Sequence, residues 1–213
     1  SAERIDEIVN ALYTPMAVIR NGPEQIPIAR DPYQEAAVRS SLTAPLMVVS
    51  GGPGTGKTSL LVNLLRAQVR AGMNPSRILL AAPTGRAAQR MTEALTASLA
   101  SIQTPDAGDL ELGRLSGSTL HQMLVYRRRS NRFVYNAKRP IPAALIAVDE
   151  VSMVDVVMMD HFLQALDPER TKLIFLGDKH QLPSVEAGAV LAEMIPDGER
   201  AATIDIEGTI HLW

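Results

Sequence analysis

Apolar and polar positions along this chain alternate between helical spacing and short unbroken apolar runs, and each change of period marks an element. From Ala2 to Tyr13, apolar residues recur at Ile5, Ile8, Val9 and Leu12, the spacing of one helix face, and the pattern stops before Pro15. Gly22, Pro23 and Pro27 read as a connector. Asp31 is placed to cap a second helix with Pro32 at its first position, where a missing N–H costs nothing, and Ala36, Ala37 and Val38 carry that helix toward Ser41. Buried-type strands are predicted at Leu46 to Val49, Arg77 to Ala81, Ala144 to Val148 and Leu173 to Leu176. Helical periodicity follows them, at Ser59 to Arg70, Arg86 to Leu99, Val156 to Leu166 and Val185 to Met194. Repeated strand–turn–helix units imply an α/β fold of three layers, a mainly parallel sheet with helices on both faces. Gln103 to Ser118, rich in Gly, Ser, Asp and Thr, reads as a long surface loop, and Gly208 to Trp213 as a last strand.

Composition narrows the picture in three places. At 213 residues, 46% of them hydrophobic, the chain can bury one sizeable core with small additions, and two complete domains would be cramped. A formal net charge of -2 means that any affinity for nucleic acid must come from a local patch. The absence of cysteine excludes disulfides, thiolate zinc sites and iron–sulfur clusters. With no apolar run of about eighteen residues and no hydrophobic signal core after Ser1, a cytoplasmic protein without a membrane partner is expected. A start without Met is what a piece cut from a longer chain would show.

The chemistry begins at Gly51-Gly52-Pro53-Gly54-Thr55-Gly56-Lys57-Thr58, which fills the Gly-x-x-x-x-Gly-Lys-Ser/Thr pattern of a phosphate-binding loop between a strand and a helix. Gly52, Pro53, Gly54, Thr55 and Gly56 would bring backbone N–H groups to the phosphates of ATP, with Ser59 continuing into the helix. Lys57 would reach the β- and γ-phosphates and the Thr58 hydroxyl would ligate Mg²⁺. The apolar strand through Val148 ends in Asp149-Glu150, at the strand edge where α/β sheets present residues to ligands. There Asp149 would hold Mg²⁺ and Glu150 would accept a proton from the attacking water. Gln181, after the strand through Leu176, is suited to sensing the γ-phosphate or orienting water; a turn closed by Pro183 is the plain alternative. Arg127, Arg128, Arg129, Arg132, Lys138 and Arg139, interleaved with Tyr126, Phe133 and Tyr135, suit a backbone-tracking, base-stacking surface, or else a solvated charged hairpin.

Together these segments resemble the ordered motifs of superfamily 1 helicases, most closely the RecD family, the alpha subunit of exodeoxyribonuclease V. The pieces that carry the likeness, between about Gln34 and Leu191, are the Gly51 to Thr58 loop, Ala82-Pro83-Thr84-Gly85-Arg86-Ala87-Ala88, Ser118-Thr119-Leu120-His121, Val148-Asp149-Glu150-Val151-Ser152-Met153, and Leu176-Gly177-Asp178 through Gln181 to Leu191. His180 departs from the family, which more often carries Asp there. The resemblance implies a RecA-like P-loop NTPase domain with DNA-stimulated ATP hydrolysis and 5′ to 3′ movement on single-stranded DNA. It makes Gln34 similar to the glutamine that reads adenine, Pro83, Thr84, Gly85 and Arg86 similar to a first strand-contacting motif, and Thr119 and His121 to a second. Read alone, Thr119 serves equally as a helix cap, and Pro83-Thr84-Gly85 as an ordinary loop.

By the same likeness, residues 1–41 form a helical lead-in containing Gln34, and residues 42–213 a motor domain into which 103–143 insert as a loop and a basic hairpin, the wedge of the resembling helicases. A motor needs a second RecA-like domain carrying an arginine aimed at the γ-phosphate, worth roughly 10³ to 10⁵ in rate. That second domain is expected to be absent here, leaving a fragment with little turnover of its own. The implied partners are single-stranded DNA, the second RecA-like domain and other exodeoxyribonuclease V subunits. Two other readings stay open: a non-helicase P-loop ATPase or kinase, which leaves Pro83 and Thr119 unexplained, and a nucleotide-binding subunit that only regulates a nuclease complex.

Overall fold

A computed structural model describes residues 2–13, 19–21, 24–26, 31–52, 54, 56–102, 104–127, 129, 132–178, 203–205 and 210–211. Gln181 and the helix expected at Val185 to Met194 lie outside them. In chain order the elements are α1 (Ala2–Tyr13), β1 (Ile19–Asn21), β2 (Glu24–Ile26), α2 (Pro32–Thr43), β3 (Leu46–Ser50), α3 (Lys57–Arg70), β4 (Ile78–Ala82), α4 (Gly85–Ala100), α5 (Ala107–Leu112), β5 (Gly117–Thr119), α6 (Leu120–Met123), β6 (Tyr126–Arg127), β7 (Arg132–Phe133), β8 (Leu145–Val148), α7 (Val156–Gln164), β9 (Lys172–Gly177), β10 (Thr203–Asp205) and β11 (Ile210–His211).

The central sheet has the order β11-β10-β3-β9-β8-β4-β5, parallel except at β10 with β11. Its strands alternate sides residue by residue. Met47, Val49, Ile78, Leu80, Leu145, Ala147, Ile174 and Leu176 join one buried cluster with Leu60, Leu61, Leu64, Leu65, Met91 and Leu95 of α3 and α4. Ala81, Ile146, Val148 and Phe175 join another with Leu120 of α6 and Met158, Met159 and Phe162 of α7. Period-two alternation against a helix on each side is what makes the sheet the middle of three layers. This is the three-layer α/β architecture that the sequence pattern predicts, and it agrees with the RecA-like P-loop fold that the family resemblance implies. Of the methionines there, Met158 and Met159 are core while Met153 is exposed. Among the described residues, no helix is long and apolar enough to cross a membrane.

Helix α3, which follows the phosphate loop, is buried on every side from Leu60 to Gln68, because α1, α2, α4 and α5 all pack against it. At the lower end of the sheet the Lys172 ammonium donates to the Ser41 and Leu42 carbonyls at 3.0 and 2.9 Å, and the Gln68 amide donates to Ser41 O at 2.6 Å. These bonds pin the carboxyl end of α2 to β9 and α3. Only Ala44 and Pro45 separate α2 from β3, so the chain reverses and directs the amino end of α2, with Gln34, toward the carboxyl edge of the sheet.

The loop expected at 103–118 is replaced by structure. Asp106 and Asp109 form a reciprocal capping box that starts α5, and Gly117 to Thr119 pair in parallel with β4 as an edge strand of the main sheet. Asp109 is buried because Arg66 of α3 donates to both its oxygens, at 2.7 and 3.0 Å. Burial pushes the Asp109 carboxyl up, but the Arg66 hydrogen bonds and charge, the Asp106 N–H and Arg70 outweigh it and hold it below the usual carboxylate range. With its folded pKa depressed, Asp109 contributes stability that is fully present above the ordinary carboxylate range and is lost as pH falls through the folded value. Asp109→Ala is expected to cost about 3–5 kcal/mol by stranding the buried guanidinium. An Arg66→Met, Asp109→Leu double variant should recover most of that in denaturant titrations; equal loss in both would mean the site cannot repack around apolar side chains.

Candidate nucleotide and strand sites

Ser50 ends β3 buried, and the Gly51 N–H donates to Gly177 O at 3.1 Å, so the phosphate loop is anchored to the end of β9. Gly54 and Gly56 take φ of 76° and 82°, left-handed values that an L side chain resists, and nothing lies within 4 Å of where a Cβ would stand. Backbone conformation rather than crowding therefore demands glycine there. Gly56 gives α3 no side-chain cap, and the first turn holds no acidic residue, so its free N–H groups keep their positive end for an anion. The Lys57 ammonium folds over the loop and donates to Gly51 O and, at 2.8 Å, to Gly52 O. Thr58 is half-buried in the same turn and Ser59 is exposed. Pro53 and Thr55 lie outside the described residues.

Two strands away, Asp149 continues β8, its N–H donating to Ala81 O at 2.9 Å. Burial raises its carboxyl pKa, opposed by the Glu150 N–H, which donates to Oδ1 at 2.8 Å, and by the charge of Lys57. Among the described residues Oδ2 accepts no hydrogen bond, which leaves a half-buried carboxylate oxygen that a cation could satisfy. No group of three or more His, Asp or Glu side chains gathers there among the described residues, so a divalent ion would take its other ligands from Thr58, phosphate oxygens and water. Glu150 stands in the left-handed region at φ 53°, ψ 39°, a conformation that costs a non-glycine residue roughly 1–2 kcal/mol. Its carboxylate lies 4.0 Å from Arg90 of α4. Asp178, after β9, is buried beside the loop anchor.

The strand-contact candidates stand on the neighbouring strand ends. Pairing of Ala82 with Thr119 sets Pro83, Thr84, Gly85 and Arg86 beside Thr119 and His121. Gly85, Arg86 and His121 are exposed. Both threonines are helix caps: Thr84 Oγ1 accepts from the Ala87 N–H at 3.2 Å, and Thr119 Oγ1 from the Gln122 N–H at 3.2 Å, with Gln122 Oε1 accepting back from the Thr119 N–H. Each hydroxyl keeps its own proton to donate outward, so capping and phosphate contact are compatible. What seats β5 here was hidden in the sequence. The Gly117 N–H donates to Thr92 Oγ1 at 2.8 Å, and a Cβ on Gly117 would lie 2.7 Å from Ala88 O.

The basic stretch forms a hairpin as expected, with Tyr126 opposite Phe133 and Arg127 opposite Arg132. Phe133 and Tyr135 are half-buried, turned inward more than the sequence implies, while Tyr126 is exposed. Phe133 packs at 5.3 Å from Tyr126, 6.0 Å from His121 and 5.1 Å from His161 between ring centroids, tying the hairpin to α6 and α7. Arg127, Arg129, Arg132, Lys138 and Arg139 are exposed, with Arg139 over the Tyr135 ring at 5.7 Å; Arg128 lies outside the described residues.

A family model described as an AAA domain matches residues 34–187, the span that carries every site above. The RecBCD enzyme subunit RecD of Mycolicibacterium smegmatis is 42% identical over 170 residues, 76% of this chain and 30% of that protein. The chain belongs to this AAA domain family. The Haemophilus influenzae RecD subunit is 39% identical over 165 residues, 76% of the chain and 26% of that protein. The ATP-dependent RecD2 DNA helicase of Deinococcus radiodurans is 33% identical over 159 residues, 74% of the chain and 19% of that protein. The chain thus spans 30% or less of the length of these relatives. The HK97 bacteriophage large terminase resembles it with a TM-score of 0.55 at 15% identity, covering 89% of the chain and 40% of the terminase. T4 UvsW does so with a TM-score of 0.53 at 15% identity, covering 83% of the chain and 34% of UvsW. These two likenesses concern the fold alone.

Proposed function

We propose that this chain is the first motor domain of a RecD-type DNA helicase, which binds ATP and couples its hydrolysis to movement along single-stranded DNA. One observation carries the reading: along a single sheet edge, in the order β3, β9, β8, β4, β5, stand the phosphate loop, Asp178, Asp149-Glu150, Pro83 to Arg86 and Thr119 to His121. A nucleotide site thereby adjoins a strand site with no layer between them. The loop N–H groups and Lys57 hold the phosphates, Thr58 and Asp149 hold Mg²⁺, Gln34 lies on the adenine side, and Glu150 takes the proton of the attacking water. A bound Mg²⁺ supplies charge neutralisation at the β- and γ-phosphates. Gln181 as γ-phosphate sensor, a lead-in over residues 1–41, a motor domain over 42–213, an arginine from a second RecA-like domain, and assembly with RecBCD-type subunits complete the proposal.

Contact with DNA through Thr84, Arg86, Thr119, His121 and the exposed arginines of the hairpin is polar and independent of sequence. Each phosphate neutralised on a single strand contributes about -0.7 to the slope of log K against log salt. The test titrates single-stranded oligonucleotides across a salt series with the full-length parent. An Arg127, Arg128, Arg129 to Ala triple variant is expected to lose affinity and flatten the slope. Thr119→Asp keeps a cap acceptor but removes the outward donor, so it should weaken binding without lowering the melting temperature. Unchanged affinity and slope in both variants would remove the strand surface from the proposal, and hydrolysis indifferent to DNA in the parent would remove the helicase reading.

A further inference from the structure

Helix α4 begins in the strand-contact candidates and passes the nucleotide site one turn later. Arg86 and Arg90 lie four residues apart and so share a face of α4, and both are exposed, Arg90 with 61% of its side chain accessible. Arg90 Nη1 lies 4.0 Å from Glu150 Oε1. Glu93, the nearest carboxylate along the helix, accepts instead from Gln89 at 2.8 Å. Among the described residues Glu150 is therefore the one carboxylate in ion-pair range of Arg90. The Glu150 backbone is held by its left-handed conformation and by its N–H on Asp149, which fixes where its side chain leaves the main chain beside α4.

We propose that Arg90 is a positioning residue that couples DNA binding to hydrolysis by exchanging partners. Without a strand the guanidinium holds Glu150, and a carboxylate engaged by a cation is a weaker acceptor for the proton of water. A phosphodiester arriving beside Arg86 offers the same guanidinium a competing anion on the same helix face. Arg90 turns toward it, and Glu150 is released to act as base. The pair is long and solvent-exposed, as suits a contact that must break; exposed pairs of this kind are worth a modest factor, about two- to fivefold. This inference rests on the reading of the carboxyl edge as a motor site and adds the device that links its two halves.

The test measures steady-state ATP hydrolysis by the full-length parent with and without oligo(dT). Arg90→Gln is expected to raise the DNA-free kcat about two- to fivefold, to leave the DNA-saturated kcat and the KM for ATP within about twofold, and so to collapse the stimulation ratio. Arg90→Lys, which retains the cation, should keep at least half of the wild-type ratio. A wild-type ratio in Arg90→Gln overturns the inference while leaving the motor reading intact. Loss of both rates in a variant of unchanged melting temperature also overturns it, by making Arg90 part of the chemistry itself. A wild-type protein whose hydrolysis ignores oligo(dT) overturns the motor reading and this inference with it.

Discussion

Lys57→Ala is expected to lower ATP affinity by about a hundredfold or more while the protein stays folded. The side chain is the cation of the phosphate loop, and it lies across that loop on the Gly51 and Gly52 carbonyls. A charge-assisted hydrogen bond to phosphate is worth about 1.5–3 kcal/mol, and Lys57 is placed to make more than one. The fold has little stake in it, because α3 is held by its buried face from Leu60 to Gln68 and not by its first residue. Calorimetric titration with ATP and Mg²⁺ measures the loss, and thermal melting checks the fold. An unchanged affinity in a folded variant would end the assignment of residues 51–58 to phosphate.

Glu150→Gln should separate binding from chemistry. The amide keeps the shape of the carboxylate and cannot take a proton, so ATP affinity is expected to stay within about twofold while turnover by the full-length parent falls by roughly 10² to 10⁴. A second variant uses the backbone. Glutamate at φ 53° is strained, and a conformation of this cost persists where function requires it. Glu150→Gly removes the strain together with the carboxylate, so it is expected to melt no lower than wild type and yet fail to hydrolyse ATP. Parallel loss of binding and turnover in Glu150→Gln would make the residue a metal ligand or a structural support. A lower melting temperature in Glu150→Gly would show that the Arg90 contact outweighs the strain.

The elements that were legible in the sequence are those whose signal is local. The runs at 46–50, 78–82, 145–148 and 172–177 are strands because both of their faces are buried, and an unbroken apolar run is the trace that leaves. Asp31 with Pro32 marks the start of α2, since a cap and a first-turn proline act within four residues. The phosphate loop is legible for the same reason: two left-handed glycines, a lysine and a hydroxyl at fixed spacing do their work within one turn of chain. Helix α5 was not legible. Its anchoring residue is an aspartate, and the arginine that makes burial tolerable sits 43 residues earlier on α3.

Sequence alone determined the layers of this protein and the residues of its candidate nucleotide site, because periods of 2.0 and 3.6 residues and the spacing of a phosphate-loop pattern are properties of neighbouring residues. Only the tertiary structure decided that β9 and β8 stand between β3 and β4, that Gly117 lets β5 close against Thr92, and that Arg90 of the strand-side helix reaches Glu150 of the nucleotide side. Those pairings join residues far apart along the chain. They are chosen by which buried faces and charges satisfy one another once the sheet is assembled, and no local pattern carries that choice.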